Sequence, residues 1–298
     1  MAITLNKYHN PHLDQSYVLK RTFSQILDLV KFEAIRNLKK TLLILSIFIV
    51  IFGIFFTFNT YTFSNPHNLL PDLPGQYIQG SYLSAIAFMI LILAILYGSS
   101  VICEDYEHQT GNLMFPNVTK FRLMIGRFTS GFVLGSVNLI IFYFLITLDV
   151  IYAYGLSHVP IELFYSLFWA LLYYFTLLSF TVFFSSFSKS TSTVIVLFLV
   201  FVLVVLSIVT IVLAFAGYTG EPLYNITYFG NIIYQILTYP ASRSVSQPIN
   251  FIHVKINQKE VTFTQWLTPS PIEALVFMLG YSFIFLFIGY YFFEKRQL

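Results

Sequence analysis

Long apolar runs separated by short polar connections fill most of the chain. Six runs follow residue 40, each close to the ~20 residues that cross about 30 Å of hydrocarbon. They are Thr41–Phe58, Tyr82–Ile102, Ser130–Tyr154, Leu163–Phe184, Thr193–Ala216 and Ala274–Phe293. Their number and length predict an all-α membrane protein with six transmembrane helices.

A different pattern precedes the first run. In residues 17–40, apolar side chains recur at steps of three and four, and basic side chains occupy other positions. This pattern predicts an N-terminal amphipathic elbow helix that lies in the plane of the lipid headgroups. An ordinary helix packed on a partner is the alternative. The predicted organisation is therefore an N-terminal region, 1–40, followed by a six-helix membrane domain, 41–298.

Composition and charge add the environment and the orientation. Hydrophobic residues make up 57% of the chain and charged residues only 10%, whereas soluble domains carry about 25% charged residues. Thirteen of the 16 Lys and Arg residues fall on one side of the predicted topology, and the other side has only Arg243, Lys255 and Lys259. Because basic residues favour the cytoplasmic side, both termini are predicted to face the cytoplasm of a multi-pass protein of the plasma membrane.

The connection before the last run, residues 217–273, is long enough to carry structure of its own. Helical spacing over Leu223 to Leu237 predicts an interfacial or re-entrant helix. The segments Phe251–Ile256 and Val261–Trp266 flank Asn257–Glu260 and predict a β-hairpin. Together they predict a small external cap. A glycosylation sequon begins at Asn225, but such a short motif does not by itself predict modification.

The sequence carries no recognisable catalytic or metal-binding motif. It has no G-x-x-x-x-G-K-[ST], H-E-x-x-H or G-x-S-x-G pattern, and Cys103 is its only cysteine. We therefore expect no catalytic residues, no metal, no cofactor held by this chain and no enzymatic activity of its own.

Acidic residues are nearly absent from the apolar runs. Asp149, near the outer end of the third run, is interpreted as a boundary residue that reaches water, with a role in gating as the alternative. Ion-coupled carriers usually place ionisable groups within the membrane. Transport by this chain would therefore need energy from another subunit.

Charge is instead concentrated between the second and third runs, from Cys103 to Phe128. Glu104 and Glu107 are three residues apart and share a helix face, where they would bind basic groups of a partner or of the loop itself. Gly111 and Pro116 bound a short apolar group that suits a partner's pocket. That group is Leu113, Met114 and Phe115. The alternative is that the charges only solvate the inner end of the second helix.

This stretch resembles the first cytoplasmic loop of the ABC-2 type permeases, the membrane subunits of many ATP-binding cassette exporters. Glu104 and Glu107 match the acidic pair of that loop, and the dipeptide Thr110-Gly111 matches its small pair. The apolar group and Pro116 follow in the same order, and Gly126-Arg127-Phe128 matches the start of the third span. The chain departs from the usual pattern at Asn117–Lys120 and in having Arg127 where Lys is frequent, so the basic position is Lys120 or Arg122.

The resemblance implies a cytoplasmic coupling helix that docks on a separate ABC ATPase subunit, which would hold ATP and Mg. Two permeases, identical or different, and two ATPases would export a substrate by alternating access, with no nucleic acid involved. The implied coupling residues are Glu104, Glu107, Thr110, Gly111, Leu113, Met114, Phe115, Pro116, Lys120 and Arg122. A non-transporting biogenesis or scaffold protein of the same topology is the alternative.

Two glycines near the start of the third run form a G-x-x-x-G motif, which allows close approach of helices. They are Gly131 and Gly135. The motif serves either packing within one chain or the seam of a permease dimer, and the sequence does not choose between them.

Overall fold

Helices make up most of the protein in its computed structural model, which describes residues 14–63, 74–107, 119–216, 218, 220–238, 244–248, 255–256, 259–260 and 262–296. Within these ranges six helices are long and apolar enough to cross a membrane. The predicted class, an all-α membrane protein with six spans, is confirmed.

The elbow helix and the first three spans occupy the first half of the chain. The elbow helix α1 covers Asp14–Arg36, and the first span is α2, Leu38–Phe63. The second span is preceded by a short helix and a π-helical turn. These parts are α3 (Pro74–Ile78), the π-helical turn (Gln79–Leu83), α4 (Ser84–Gly98) and α5 (Ser100–Glu107). The third span is α6, Lys120–Tyr154.

The second half holds three spans and a long connection. The fourth span is α7, Glu162–Phe187, preceded by a 3-10 turn, Leu156–His158. The fifth span contains a second π-helical turn, and its parts are α8 (Thr191–Leu199), the turn (Val200–Val205) and α9 (Leu206–Phe215). The connection has two short helices and a 3-10 turn, α10 (Ile226–Phe229), α11 (Ile232–Gln235) and Ile236–Thr238. The sixth span is α12, Pro271–Lys295.

Local sequence fixes two of the span ends. The third span stops at Gly155, whose φ of 89° lies in a region that side chains other than glycine rarely adopt. The sixth span begins with a capping box, in which the side chain of Ser270 accepts from the backbone N–H of Glu273 and the Glu273 side chain accepts from the backbone N–H of Ser270. Pro271 suits the first turn because it lacks an N–H group that would otherwise need a partner.

The elbow helix packs along the start of the third span. A side chain at Gly126 would place its Cβ 2.9 Å from Cβ of Leu29, so only glycine allows this approach without displacement. The elbow helix ends at Arg36, four residues earlier than predicted. Several of its apolar side chains are exposed, as a position at the lipid headgroups would require; these are Phe23, Leu27, Phe32 and Ile35. The interfacial position itself stays a prediction.

The third span begins ten residues earlier than its apolar run predicted, at Lys120 instead of Ser130. Three basic residues lower the hydropathy of this segment. Arg127, the most deeply placed of them, is only 4% exposed because acidic side chains surround it. Hydropathy treats each residue separately and therefore underestimates a helix whose charges are paired.

The long connection before the sixth span contains short antiparallel strands. Strand β2 (Lys255–Ile256) pairs with β3 (Lys259–Glu260) around residues 257–258, where the hairpin turn was predicted. However, β4 (Thr262–Trp266) pairs with β1 (Ser244–Pro248), a strand that was not predicted from the sequence. Residues 249–254, which include part of the predicted first strand, lie outside the described residues.

The helical part of the same connection packs on the bundle. The predicted helix over 223–237 is broken into α10 and α11 at Gly230-Asn231. Phe229 is fully buried and stacks on Phe277 of the sixth span, with ring centroids 6.0 Å apart. The hydroxyl of Ser166, on the fourth span, donates to the carbonyl of Ile233 at 2.6 Å. This segment therefore joins the fourth and sixth spans, and its place in an external cap stays a prediction.

The two glycines of the G-x-x-x-G motif pack against side chains of the same chain. A Cβ at Gly135 would lie 2.1 Å from the hydroxyl oxygen of Tyr174, and that hydroxyl donates to the carbonyl of Gly131 at 2.8 Å. A Cβ at Gly131 would lie 3.3 Å from Cβ of Tyr97 on the second span. The motif thus brings the third span close to both the second and the fourth.

We predict that Gly135→Ala lowers the free energy of unfolding by about 1–3 kcal/mol, because the added methyl must displace Tyr174. Gly53→Ala, on the first span, is the matched control, since a Cβ added there would meet no described atom within 4 Å. Denaturant titration of both variants in detergent micelles checks this. Equal midpoints for Gly135→Ala and Gly53→Ala would contradict the packing described.

Candidate functional site

A buried arginine joins three helices at one end of the bundle. The Nη1 and Nη2 atoms of Arg127 donate to the two carboxylate oxygens of Asp105 at 2.7 and 2.9 Å. Its Nε atom donates to Glu33 at 2.9 Å, and Nη1 also donates to the carbonyl of Val101 at 3.0 Å. Bidentate pairs of this kind are among the stronger hydrogen bonds in proteins. Arg127 therefore fixes the relative positions of the elbow helix and the second and third spans.

A second arginine extends this network toward the surface. Arg36, at the end of the elbow helix, forms salt bridges with Glu33 at 2.7 Å and Glu104 at 2.8 Å. We call Glu33, Arg36, Glu104, Asp105 and Arg127 the charge junction. Glu33, Asp105 and Arg127 are almost completely buried, whereas the side chains of Arg36 and Glu104 are about one-third exposed. The buried part depends on each charge having its partner, since an unpaired charge there costs several kcal/mol.

Glu107 ties the second span to the fifth. Its Oε2 atom accepts from the backbone N–H and the hydroxyl of Thr191, both at 2.9 Å. Thr191 is the first residue of the fifth span, where free N–H groups and the helix dipole favour a negative charge. Glu107 thereby holds the beginning of the fifth span against the end of the second.

Lys120 ties the third span to the sixth. Its ammonium donates to the backbone carbonyls of Phe293, Glu294 and Arg296, at 3.2, 3.2 and 2.7 Å. These carbonyls lie at the C-terminal end of the sixth span, which lacks further helical N–H partners and favours a cation. The third and sixth spans are therefore bound together at the residue where the third begins.

Arg296 completes the set of contacts at this end of the bundle. It donates to the carbonyls of Ser186 and Ser188, at the end of the fourth span, at 3.2 and 2.6 Å. Its guanidinium lies 3.7 Å from the ring centroid of Tyr106 on the second span. The elbow helix and the ends of five spans, the second to the sixth, are thus joined by polar contacts at one end, which we call the elbow end.

The predicted coupling residues fall into two groups. Glu104, Glu107, Lys120 and Arg122 are described, and each binds within the chain; Arg122 donates to Gln25 of the elbow helix. The partner of Glu104 is Arg36, on the elbow helix, and not a basic residue of the loop. The remaining predicted residues lie outside the described residues. These are Thr110, Gly111, Leu113, Met114, Phe115 and Pro116. Contact of either group with an ATPase stays a prediction.

The buried part of the charge junction was not predicted from the sequence. Glu33 follows Ile26 by seven residues and Val30 by three, so it continues the apolar stripe of the elbow helix. An acidic residue in such a stripe needs a buried basic partner, and Arg127 lies between apolar residues three positions before the predicted third span. These two features of the sequence together could have predicted the buried ion pair between Glu33 and Arg127.

The interpretation of Asp149 as a boundary residue that reaches water is wrong. Asp149 is only 3% exposed, and its Oδ2 atom accepts from the hydroxyls of Tyr77 and Tyr82 at 2.6 and 2.7 Å. Both hydroxyls act as donors, because a tyrosine side chain is protonated at neutral pH. Two aromatic residues upstream of the second span enclose a carboxylate that hydropathy alone placed at the surface.

Polar residues of the third span are bonded to the second span, or to the segment before it, at three depths. Arg127, Asn138 and Asp149 are spaced eleven residues apart, which is close to three helical turns and places them on one face. Nδ2 of Asn138 donates to the hydroxyl of Tyr97 at 3.2 Å, and that hydroxyl donates to Thr41 on the first span at 2.8 Å. Arg127, Asn138 and Asp149 therefore each add a polar contact between the third span and either the second span or the segment before it.

Potential metal ligands do not form a cluster in the described part of the chain. No group of three or more His, Cys, Asp or Glu side chains within it could hold a metal ion. The site is a structural junction of charges and helix ends, and its chemistry is that of hydrogen bonds and ion pairs.

Comparison with known protein families identifies a relationship over most of the chain. The family model described as ABC-2 family transporter protein matches residues 26–298, which includes all six spans and most of the elbow helix. No curated protein matches the chain.

We predict that Arg127→Met lowers the free energy of unfolding by about 3–5 kcal/mol, because it removes the bidentate ion pair of the buried Asp105 and leaves Arg36 as the remaining counter-charge of Glu33. Adding Asp105→Asn and Glu33→Gln should recover part of this loss. Denaturant titration in detergent micelles measures both effects, with Lys39→Met, at an exposed basic residue, as control. A midpoint for Arg127→Met equal to that of the control would show that the junction does not stabilise the fold.

Proposed function

The chain belongs to the ABC-2 transporter family, and from this premise we propose that it is the permease subunit of an exporter driven by a separate ABC ATPase. In this proposal the elbow end faces the cytoplasm, in agreement with the distribution of Lys and Arg residues. ATP and Mg bind to the ATPase subunit. The permease supplies the transmembrane path and the loop that receives the ATPase.

The observation that carries the proposal is that the described residues on either side of segment 108–118 are bonded to other spans. Glu107, immediately before this segment, is bonded to the fifth span, and Lys120, two residues after it, is bonded to the sixth. The charge junction holds the second and third spans to the elbow helix beside them. In this proposal, a force that reaches Glu107 and Lys120 from the segment between them acts on the fifth and sixth spans as well as on the second and third.

The same anchoring provides a route for the movement. Transitions in membrane and soluble proteins often consist of rigid-body shifts of packed helices. The third span is one continuous helix from Lys120 to Tyr154, and it carries Arg127 near one end. A shift of the loop caused by closure of the ATPases would reach the elbow helix through Glu33 and the opposite end of the bundle through the third span.

We also propose that a second permease subunit, identical or related, completes the transport path. The first and fifth spans leave apolar side chains exposed along most of their length in the single chain. These include Ile47, Val50, Ile54, Val204, Ile208 and Val212. Lipid covers part of such a surface, and a second permease placed against these spans would cover the rest and enclose a path between the two subunits.

We predict that the chain, purified from its native membrane, brings an ABC ATPase with it and raises the rate of ATP hydrolysis by that subunit in liposomes. Leu113→Asp combined with Phe115→Asp should reduce this stimulation at least about tenfold, because charges would enter an apolar pocket at the centre of the contact. Glu107 is left unchanged because its carboxylate also binds the fifth span. Coupled ATPase assays measure the effect.

The control is Leu156→Asp combined with Tyr152→Asp, which places two charges at exposed side chains at the opposite end of the bundle. Stimulation should be retained in this variant. Recovery of a correctly inserted chain without any ATPase would contradict the permease proposal and favour the non-transporting scaffold protein of the same topology.

A further inference from the structure

A second polar cluster lies at the end of the bundle opposite the elbow end, and the charge junction does not account for it. Asp149 is placed about 33 Å along the third span from Arg127, at 1.5 Å per residue. Among the described residues its carboxylate meets no basic side chain, and the hydroxyls of Tyr77 and Tyr82 hold it. Carboxylates buried without a basic partner are costly in a membrane protein and usually have a functional role.

The backbone before the second span is adapted to this contact. Tyr77 and Tyr82 are five residues apart, a spacing that a regular α-helix would turn to different sides. The π-helical turn Gln79–Leu83 closes hydrogen bonds over five residues and brings both hydroxyls to the same oxygen of Asp149. Single π-helical turns inside helices are rare and occur often at functional sites.

The cluster also contains a buried amide beside the two hydroxyls. Asn59, at the end of the first span, is 4% exposed and faces the hydroxyls of Tyr77 and Tyr82. Its Nδ2 atom makes no hydrogen bond within the described part of the chain. A buried amide that lacks a partner costs about 1–3 kcal/mol, so a movement that gives this Nδ2 atom an acceptor would be favoured.

From these contacts we propose that Asp149, Tyr77 and Tyr82 form the latch that keeps the end of the bundle opposite the elbow end closed. The latch ties the third span to the segment before the second span, and it opens when the third span moves. The proposal rests on the proposed transport function, in which this end releases the substrate. Asp149, Tyr77 and Tyr82 are positioning residues, since they act through the helices that they join.

The third span connects the latch to the elbow end. Arg127 and Asp149 lie on the same face of this one helix, and each is bonded to the second span or to the segment before it. A rotation or tilt of the third span that is driven at Arg127 would therefore pull Asp149 away from the two tyrosines. The amide of Asn59 lies beside the hydroxyls that this movement releases.

Accessibility of a buried cysteine tests the latch directly. Ile146 lies one turn from Asp149 on the third span and is completely buried, so Ile146→Cys reports opening at this end. The full chain in nanodiscs is treated with a polar maleimide, and the unchanged chain, whose only thiol is the buried Cys103, gives the background. This arrangement exposes both faces of the membrane and needs no ATPase.

We expect the reporter to react slowly in the otherwise unchanged chain and about tenfold faster or more with Tyr77→Phe and Tyr82→Phe, because two hydrogen bonds to a charged group are lost. Asp149→Asn keeps the shape of the side chain and should accelerate the reaction about threefold, since hydrogen bonds to a neutral acceptor are weaker. This variant decides the question if the double variant is not recovered from the membrane.

Tyr143→Phe is the matched control. Tyr143 is also buried, on the same span, but its hydroxyl bonds to Ser166 and not to Asp149. In this variant, the cysteine introduced by Ile146→Cys should react at the same rate as in the chain that carries Ile146→Cys alone. Unchanged rates in the latch variants, or equal acceleration by Tyr143→Phe, would overturn the latch. Because the assay contains no ATPase, its result is separate from the outcome of the ATPase experiment.

Discussion

An arginine buried in a membrane protein needs hydrogen-bond acceptors for nearly all of its N–H groups and at least one counter-charge. Arg127 meets this requirement with two carboxylates and a backbone carbonyl that come from two neighbouring elements. The requirement therefore fixes more than one side chain. It holds the elbow helix on the third span and sets the position of the second span beside both.

Other contacts at the elbow end follow the same electrostatic rule with different groups. Glu107 is placed at the beginning of a helix and Lys120 at the end of one, each at the pole that stabilises its charge. As a result, few charged residues are needed to join many helices. The chain has only 10% charged residues, and much of that charge lies where helices end and must be held together.

The six spans could be predicted from the sequence because hydropathy and helix length are local properties. The pairings could not, because they depend on which faces meet. Glu104 and Glu107 stood out in the sequence as acids of the loop, yet their partners, Arg36 and Thr191, are far away in the chain. Asp149 was misplaced for a related reason: the aromatic residues that bury it precede a different span. The pairing of β4 with β1 was missed because Ser244–Pro248 has no alternation of apolar and polar residues.

The most direct test of this account is the hydrogen exchange of the elbow helix in nanodiscs, compared between the unchanged chain and Arg127→Met. If Arg127 holds the elbow helix on the third span, the amides near Glu33 should lose protection in the variant. Local opening of the elbow helix then costs less free energy, because it no longer requires the ion pair between Glu33 and Arg127 to break. Amides of the fourth span around Trp169 should keep theirs. Equal protection of the elbow helix in both proteins would contradict the account.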